Sequence, residues 1–273
     1  MKTFALALGS GGARGLSHIV VLEALDEMGV KPVAIAGASI GAMIGAAYAA
    51  GMSGREIRRH VTHILLDRPS AMRRLIAARA GGLADLLAIG LGQATLLDAE
   101  KICTQFLPDA LPEDFASLTI PLRVVASDLY GRREHVFTHG SLRTALAASI
   151  AIPGLIRPID MHGRIFVDGG ATNPLPFDLL RGEADVVVAA DVSGNAVDEP
   201  REMPGAIEAI YSTLLVMGSV ITAEKLRHGA PDLLVRPNVG LFRALDFLPA
   251  SAILRVAEPV KADVKEKLAA LLA

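Results

Sequence analysis

Tryptophan is absent, and eight phenylalanines and three tyrosines are the only aromatic residues among 273. The core must therefore be built from Ala, Leu, Val and Ile, and stacking platforms for single-stranded nucleic acid are scarce. Positive charge is not in excess either, with 27 Lys and Arg against 29 Asp and Glu for a net charge of −2. Without a global basic field to meet a phosphate backbone, no nucleic-acid partner is expected. Cys103 is the only cysteine, which excludes an internal disulfide and any Cys-clustered metal site. Long apolar runs are missing: Met1 to Leu8 falls short of a secretory h-region and runs into a glycine-rich turn. Tyr211 to Thr222, the most apolar helical stretch, is interrupted by Ser212, Thr213, Gly218 and Ser219. It reads as too short to span a bilayer, and as a core helix or the wall of an acyl groove. The expectation is a soluble, cytoplasmic protein, at most peripheral to a membrane.

Hydrophobic residues make up 52% of the chain, ample for a packed core, and the length fits a single α/β domain over residues 1–273. Phe4 to Leu8 is apolar, residues 9–15 read GSGGARG, and Leu16 to Met28 carries apolar residues at helical spacing up to Gly29. Val33 to Ala36, the turn GASIG and Ile40 to Ala50 repeat the pattern, which predicts a mostly parallel sheet. Between Gly54 and Ala80, Arg55, Arg58, Arg59, Arg68, Arg73, Arg74 and Arg79 face only Glu56 and Asp67. With the Leu- and Ala-rich residues 83–100, this predicts a helical insertion over residues 54–118. Its basic side reads as a solvated helix face or as a peripheral contact with anionic membrane.

Further on, Leu122 to Leu129 and Glu134 to Thr138 predict a hairpin around Tyr130-Gly131, and Ser141 to Ser149 a helix ended by Pro153-Gly154. A second hairpin, Ile156 to Met161 with Arg164 to Val167, sets Asp168 at a strand end. Pro174 and Pro176 suit the start of a helix through Leu180, and Ala184 to Val192 a buried strand. The remainder reads as mostly helical, with a late strand at Leu233 to Arg236.

The most informative five residues are Gly37 to Gly41, a G-x-S-x-G between a predicted strand and a predicted helix. Gly37 and Gly41 permit the sharp turn, and Ser39 falls at a helix N-terminus, where amides and dipole favour the charge that develops in acyl transfer. The residues GSGGARG could hold an anion in either of two ways. A dinucleotide fingerprint fits poorly, because Arg14 stands where the third glycine belongs and no acidic residue closes the second strand. An oxyanion hole fits better, since turns after neighbouring parallel strands open on the same edge and Gly11, Gly12, Ala13 and Arg14 can face Ser39. Arg14 reads either as a solvated, phosphate-steering charge or as a residue that orders the loop.

Two bases are open to Ser39. A Ser-His-Asp order through Asp168 or Asp191 and then His228 is formally possible, yet only one strand precedes the one that delivers Ser39, and His228 reads as flanking a helix end. Asp168, followed by Gly169 and Gly170, could accept the proton directly, or could simply form an Asp-Gly turn. A non-catalytic phosphate- or nucleotide-binding α/β protein is the third reading.

Three ordered motifs resemble the patatin-like phospholipase family over most of residues 5–195: LGSGGARGLSH at 8–18, GASIGA at 37–42 and VDGGATNPLP at 167–176. The segment AASIAIPG at 147–154, with Pro153, looks like a family feature bordering the site. The resemblance implies a three-layer α/β/α fold with a mostly parallel sheet, and a Ser39/Asp168 dyad without histidine. It also implies hydrolysis of phospholipid or lysophospholipid esters with no metal or cofactor. Ser10 stands where many members carry glycine.

Overall fold

The computed structural model describes residues 2–66, 68–79, 97–194 and 203–273. Strand β1 (Phe4–Leu8) leads through a 3-10 turn (Gly12–Ser17) to α1 (His18–Met28), and β2 (Ile35–Ala38) leads directly to α2 (Ile40–Ala49). Helices α3 (Gly54–Leu66), α4 (Arg68–Ala77) and α5 (Ala99–Phe106) precede β3 (Leu122–Asp128), β4 (Arg133–Phe137) and α6 (Leu142–Ser149). Then come β5 (Ile159–Met161), β6 (Arg164–Asp168), β7 (Val186–Ala190), α7 (Ala206–Arg227), β8 (Leu233–Val235), α8 (Ala250–Ala257) and α9 (Val260–Leu272). Residues 80–96, which include most of the Leu- and Ala-rich stretch expected to be helical, lie outside the described residues.

Every residue of β1 is buried, as a central parallel strand covered on both faces requires. Phe4, Leu6 and Leu8 point to the larger core under α1 and α2, with Ile35, Val186 and Val188 beside them. Ala5 and Ala7 join Ala36, Val187 and Ala189 on the other face, against Leu175, Phe177, Leu180 and Leu226. The α/β/α layering thus has one thick helical side and one thin side, where alanines let a short 3-10 turn (Phe177–Leu180) lie close. That turn replaces the full helix expected after Pro174. Likewise, the helix expected from Leu16 begins at His18, since Gly12 at φ 58 turns the chain into a 3-10 coil first.

The sheet is linked in the order β5-β6-β3-β2-β1-β7-β8, with β4 also paired to β3. Its β1, β2, β3, β7 and β8 are parallel, β4 and β6 each pair antiparallel to β3, and β5 pairs antiparallel to β6. Strand β2 pairs with residues 122–125 of β3, and β6 with residues 126–128. Because β4 pairs with residues 124–128, it must take the opposite edge. Strands β2 and β6 therefore share one edge of β3 and meet end to end, which brings the residues after Ala38 to Asp168.

Part of the arginine excess is consumed internally. Arg58 donates to both oxygens of the buried Glu23 at 2.6 Å and reaches Glu258 at 3.1 Å, while Lys261 meets Glu23 at 2.7 Å. This network ties α1, α3 and the start of α9 together. Arg74 donates to the Gln105 carbonyl at 2.5 Å, whereas Arg55, Arg59, Arg73 and Arg79 are exposed.

Candidate active site

Ser39 caps α2 with φ 55 and ψ −125, a backbone conformation that costs a non-glycine residue of order 1–3 kcal/mol. The strain is held by packing: a Cβ on Gly41 would lie 2.2 Å from the Leu8 carbonyl oxygen, and one on Gly37 2.7 Å from the Ala42 backbone. The Ser39 amide donates to Ser149 Oγ at 2.9 Å, and Ser149 in turn donates to the Val125 carbonyl at 2.6 Å. Thus α6 and β3 both fix the serine backbone.

Asp168 closes β6. Its amide donates to the Ala151 carbonyl, and its own carbonyl accepts from Ser127 Oγ at 2.8 Å. The carboxylate accepts from Ser39 Oγ at 2.5 Å through Oδ2 and from the Gly170 amide at 2.7 Å through Oδ1. Both residues are buried. Burial pushes the Asp168 carboxyl up to about 6, and the two hydrogen bonds oppose that rise. A base with this value is ionised at neutral pH yet basic enough to take a proton from a hydroxyl under attack geometry.

The glycine loop divides unevenly. The Ala13 amide is committed to the Ala244 carbonyl at 2.7 Å, so it is not available to an oxyanion. Among the described residues, the amides of Gly11 and Gly12 have no acceptor within the protein, which leaves these two to receive one. Gly12 is confined to glycine, since a Cβ would stand 2.0 Å from the Ala244 oxygen. Arg14 turns away to carbonyls: Nε donates to Phe242 at 2.8 Å, Nη2 to Gly240 at 3.3 Å and Nη1 to Ser193. Its bonds are those of a loop-ordering residue. His18, fully buried, bonds the Gly9 carbonyl at 2.8 Å through Nε2, and its Nδ1 has no partner. Burial holds its imidazole down to about 4, so it stays neutral.

A cleft beside the dyad is lined by Ser10, Asp168, Gly170, Ser193, Tyr211 and Leu214, among others, and encloses about 20 Å³. That is room for one water molecule. The Tyr211 hydroxyl lies where a Cβ on Gly12 would be 3.1 Å away, and burial, with the Asp168 charge, raises its phenol well above the usual range. Of the site's border residues, Gly169 must be glycine because a Cβ would meet the Val125 oxygen at 2.1 Å. Pro153 is half-buried, in the turn that carries Gly154 toward Ile210. Among the described residues, no group of three His, Cys, Asp or Glu side chains could hold a metal ion.

His228 lies at the end of α7 with a largely exposed side chain and bonds Glu224 one turn back at 3.0 Å. Asp191 bonds Ser193 and Arg236. The structure therefore does not join His228 or Asp191 to Ser39, whose hydroxyl meets Asp168. His228→Ala is expected to leave esterase activity unchanged and stability within about 0.5 kcal/mol, the usual range for an exposed surface change. Loss of activity at unchanged urea midpoint would instead restore the histidine triad.

Sequence reasoning missed Ser149 and Tyr211. The signal for Tyr211 is a single phenol in the stretch Ala209 to Ala223, which has no charged residue, and for Ser149 a serine among alanines where a core helix needs none.

Fold and cleft place the chain among α/β proteins that carry a serine at a strand-to-helix turn beside a glycine-rich loop. The model of the family described as "Patatin-like phospholipase" matches residues 6–181, and the chain belongs to the patatin-like phospholipase family. It is similar to an uncharacterized NTE family protein of Mycobacterium tuberculosis, Rv1063c, with 36% identity over 213 residues, 78% of this chain and 55% of that protein. It is also 33% identical over 272 residues to human patatin-like phospholipase domain-containing protein 6, covering 90% of this chain and 19% of that one. The chain thus spans about half the length of the mycobacterial relatives. Among solved structures, VipD from Legionella pneumophila superposes with a TM-score of 0.53 at 16% identity, covering 97% of this chain and 66% of that one, a likeness of fold.

Proposed function

We propose that the chain hydrolyses acyl esters of phospholipid or lysophospholipid through a Ser39/Asp168 dyad. The observation that carries this reading is the 2.5 Å bond from Ser39 Oγ to a buried carboxylate whose value is raised to about 6. Asp168 takes the Ser39 proton as Oγ attacks the ester carbonyl, and the amides of Gly11 and Gly12 receive the oxyanion. Collapse of the tetrahedral intermediate expels the alcohol with the proton from Asp168, leaving an acyl-serine. Water, deprotonated by Asp168, then releases the fatty acid and restores Ser39. The steps need no metal or cofactor.

The test is labelling with a fluorophosphonate probe and mass spectrometry of the modified peptide. An adduct on Ser39, absent from Asp168→Asn, supports the dyad. Binding of nucleotide by a folded protein that resists labelling would support a phosphate-binding protein instead. The pH dependence follows from the base: kcat/KM should be half-maximal at about pH 6 and fall about tenfold per unit below it. A profile that is flat down to about pH 4 would remove Asp168 as the base.

A further inference from the structure

Helix α7 roofs the dyad. Its inner side is Tyr211, Leu214, Leu215 and Gly218, all lining the cleft that holds Asp168. The absence of a side chain on Gly218 lets the helix lie on the Asp168 loop, for a Cβ there would be 3.3 Å from Pro174 and 3.7 Å from the Gly170 carbonyl. Nearby on the same helix, Ile210 faces the turn of Gly154. The helix is therefore part of the wall of the site, not a detached appendage.

Its outer side carries no charge. From Ala209 to Ala223 the sequence has no ionisable residue except Tyr211, and Tyr211 is turned inward. Ile210, Met217 and Val220 follow one another at helical spacing and are 48%, 55% and 65% exposed, with Val216 at 64% beside them. The adjoining loop, joined to α7 through the Arg243–Glu208 pair, adds Leu241 and Leu248, also exposed. On the helix, Ser212, Thr213 and Ser219 are exposed among them, yet four large aliphatic side chains grouped on one uncharged helix face differ from the single outward ones usual on soluble surfaces.

The helix measures 22 residues, and its most apolar window has a mean hydropathy of 1.6 with only 17% of it buried. It is thus long and apolar enough to cross a bilayer by length and composition, which corrects the expectation that this stretch is too short. Its Tyr211, Gly218 and Thr222 are nevertheless packed into the protein. A helix held by one side and apolar on the other lies in an interface, not across it.

We propose that the outer side of α7 is the surface by which the chain docks, in plane, on a phospholipid layer, bringing the roof of the cleft against the lipid. The inference rests on the lipid-hydrolase reading for its occupant: the substrate lies in that layer, and the cleft has room for little more than a water. An uncharged stripe fits the hydrocarbon and ester zone of a layer, and needs no anionic headgroup. This separates α7 from the basic 54–80 segment, two of whose arginines, Arg58 and Arg74, already serve carbonyl or carboxylate partners inside the protein.

The experiment uses the full chain and its Val216→Gln/Met217→Gln/Val220→Gln variant, whose changes keep helix-forming residues and leave the cleft wall untouched. Co-sedimentation is measured with vesicles of phosphatidylcholine alone, at about 0.05 M and about 0.5 M salt. The unaltered chain is expected to bind at both, and the variant to bind at least about tenfold more weakly. Cleavage of vesicle phospholipid should fall by the same factor, while fluorophosphonate labelling of Ser39 in solution stays within about twofold, which also reports that the variant is folded. Equal binding by both proteins overturns the proposal. So does binding seen only with anionic vesicles and lost at high salt, which would point to the basic segment. A variant that turns from dimer to monomer by light scattering without losing vesicle binding would assign the stripe to a second copy. Vesicle binding through α7 with no labelling of Ser39 would sink the hydrolase reading and leave the surface; labelling without vesicle binding would do the reverse.

Discussion

Asp168→Asn is expected to lower kcat by roughly 10⁴-fold or more, the scale at which members of a nucleophile–base unit act, and at the same time to make the protein more stable at neutral pH. The first effect follows because the amide can still hold Ser39 but cannot take its proton. Nδ2 can donate to Ser39 Oγ and Oδ1 can accept from the Gly170 amide, so neither bond need be left unmade. The second effect follows from linkage. A carboxyl raised from 3.8 to about 6 by burial contributes stability that is fully present below pH 3.8 and lost as pH rises through about 6. At pH 7 the ionised, buried Asp168 therefore costs about 3 kcal/mol, which the amide does not. Urea unfolding should show the variant gaining about 3 kcal/mol over the unaltered protein at pH 7 and nothing near pH 4. Ser39→Ala should abolish turnover as fully without that gain, since the buried carboxylate remains and loses a donor. Full activity in Asp168→Asn would end the dyad; inactivity without stabilisation would end the account of how Asp168 is tuned.

Ser39 and Asp168 were legible as candidates because both sit in short segments whose neighbours are apolar strands and small residues. G-x-S-x-G needs a strand before it and a helix after it, so local pattern marks Ser39, while VDGG after an apolar strand leaves Asp168 open between a base and an Asp-Gly turn, and only the family resemblance pairs the two. What joins them was not legible: β2 and β6 sharing one edge of β3 is a fact of register over residues 122–128, and no local pattern encodes it. The glycine-rich loop shows the same limit at finer grain. Its glycines announce close backbone approach, but which amides stay free depends on Ala244, far along the chain, whose carbonyl takes the Ala13 amide. Arg14 is set in the same way by Ser193, Gly240 and Phe242. The length of helix α7 is not legible in the sequence because Ser212, Thr213, Gly218 and Ser219 look like interruptions. Thr213 and Ser219 instead return their hydroxyls to the carbonyls of Ala209 and Leu215, which satisfies them within the helix, and Gly218 is where it meets the site.

Opposite slopes are expected when the two buried titrating groups on either side of the glycine loop are separated by mutation. His18 holds the Gly9 carbonyl through Nε2, and a second proton would place a charge on Nδ1, a fully buried atom with no acceptor. Its value falls from 6.5 to about 4 for that reason, with the Gly9 bond and Asp191 opposing the fall. The unfolded chain then binds a proton that the folded one refuses between pH 6.5 and about 4, so this contribution is lost as pH falls through that window. Asp168 loses stability in the other direction over nearly the same range, and each amounts to about 3 kcal/mol. In the unaltered protein the two offset. His18→Gln keeps a donor for the Gly9 carbonyl and removes the titration, so relative to the unaltered protein its stability should decline by about 3 kcal/mol as pH rises from 4 to 6.5. Asp168→Asn should gain by about as much across that span, and the double variant should track the unaltered protein. Urea midpoints at four pH values decide it. Parallel curves for the single variants would mean that neither group is held away from its ordinary value, and a slope in the double variant would place the titration elsewhere in the fold.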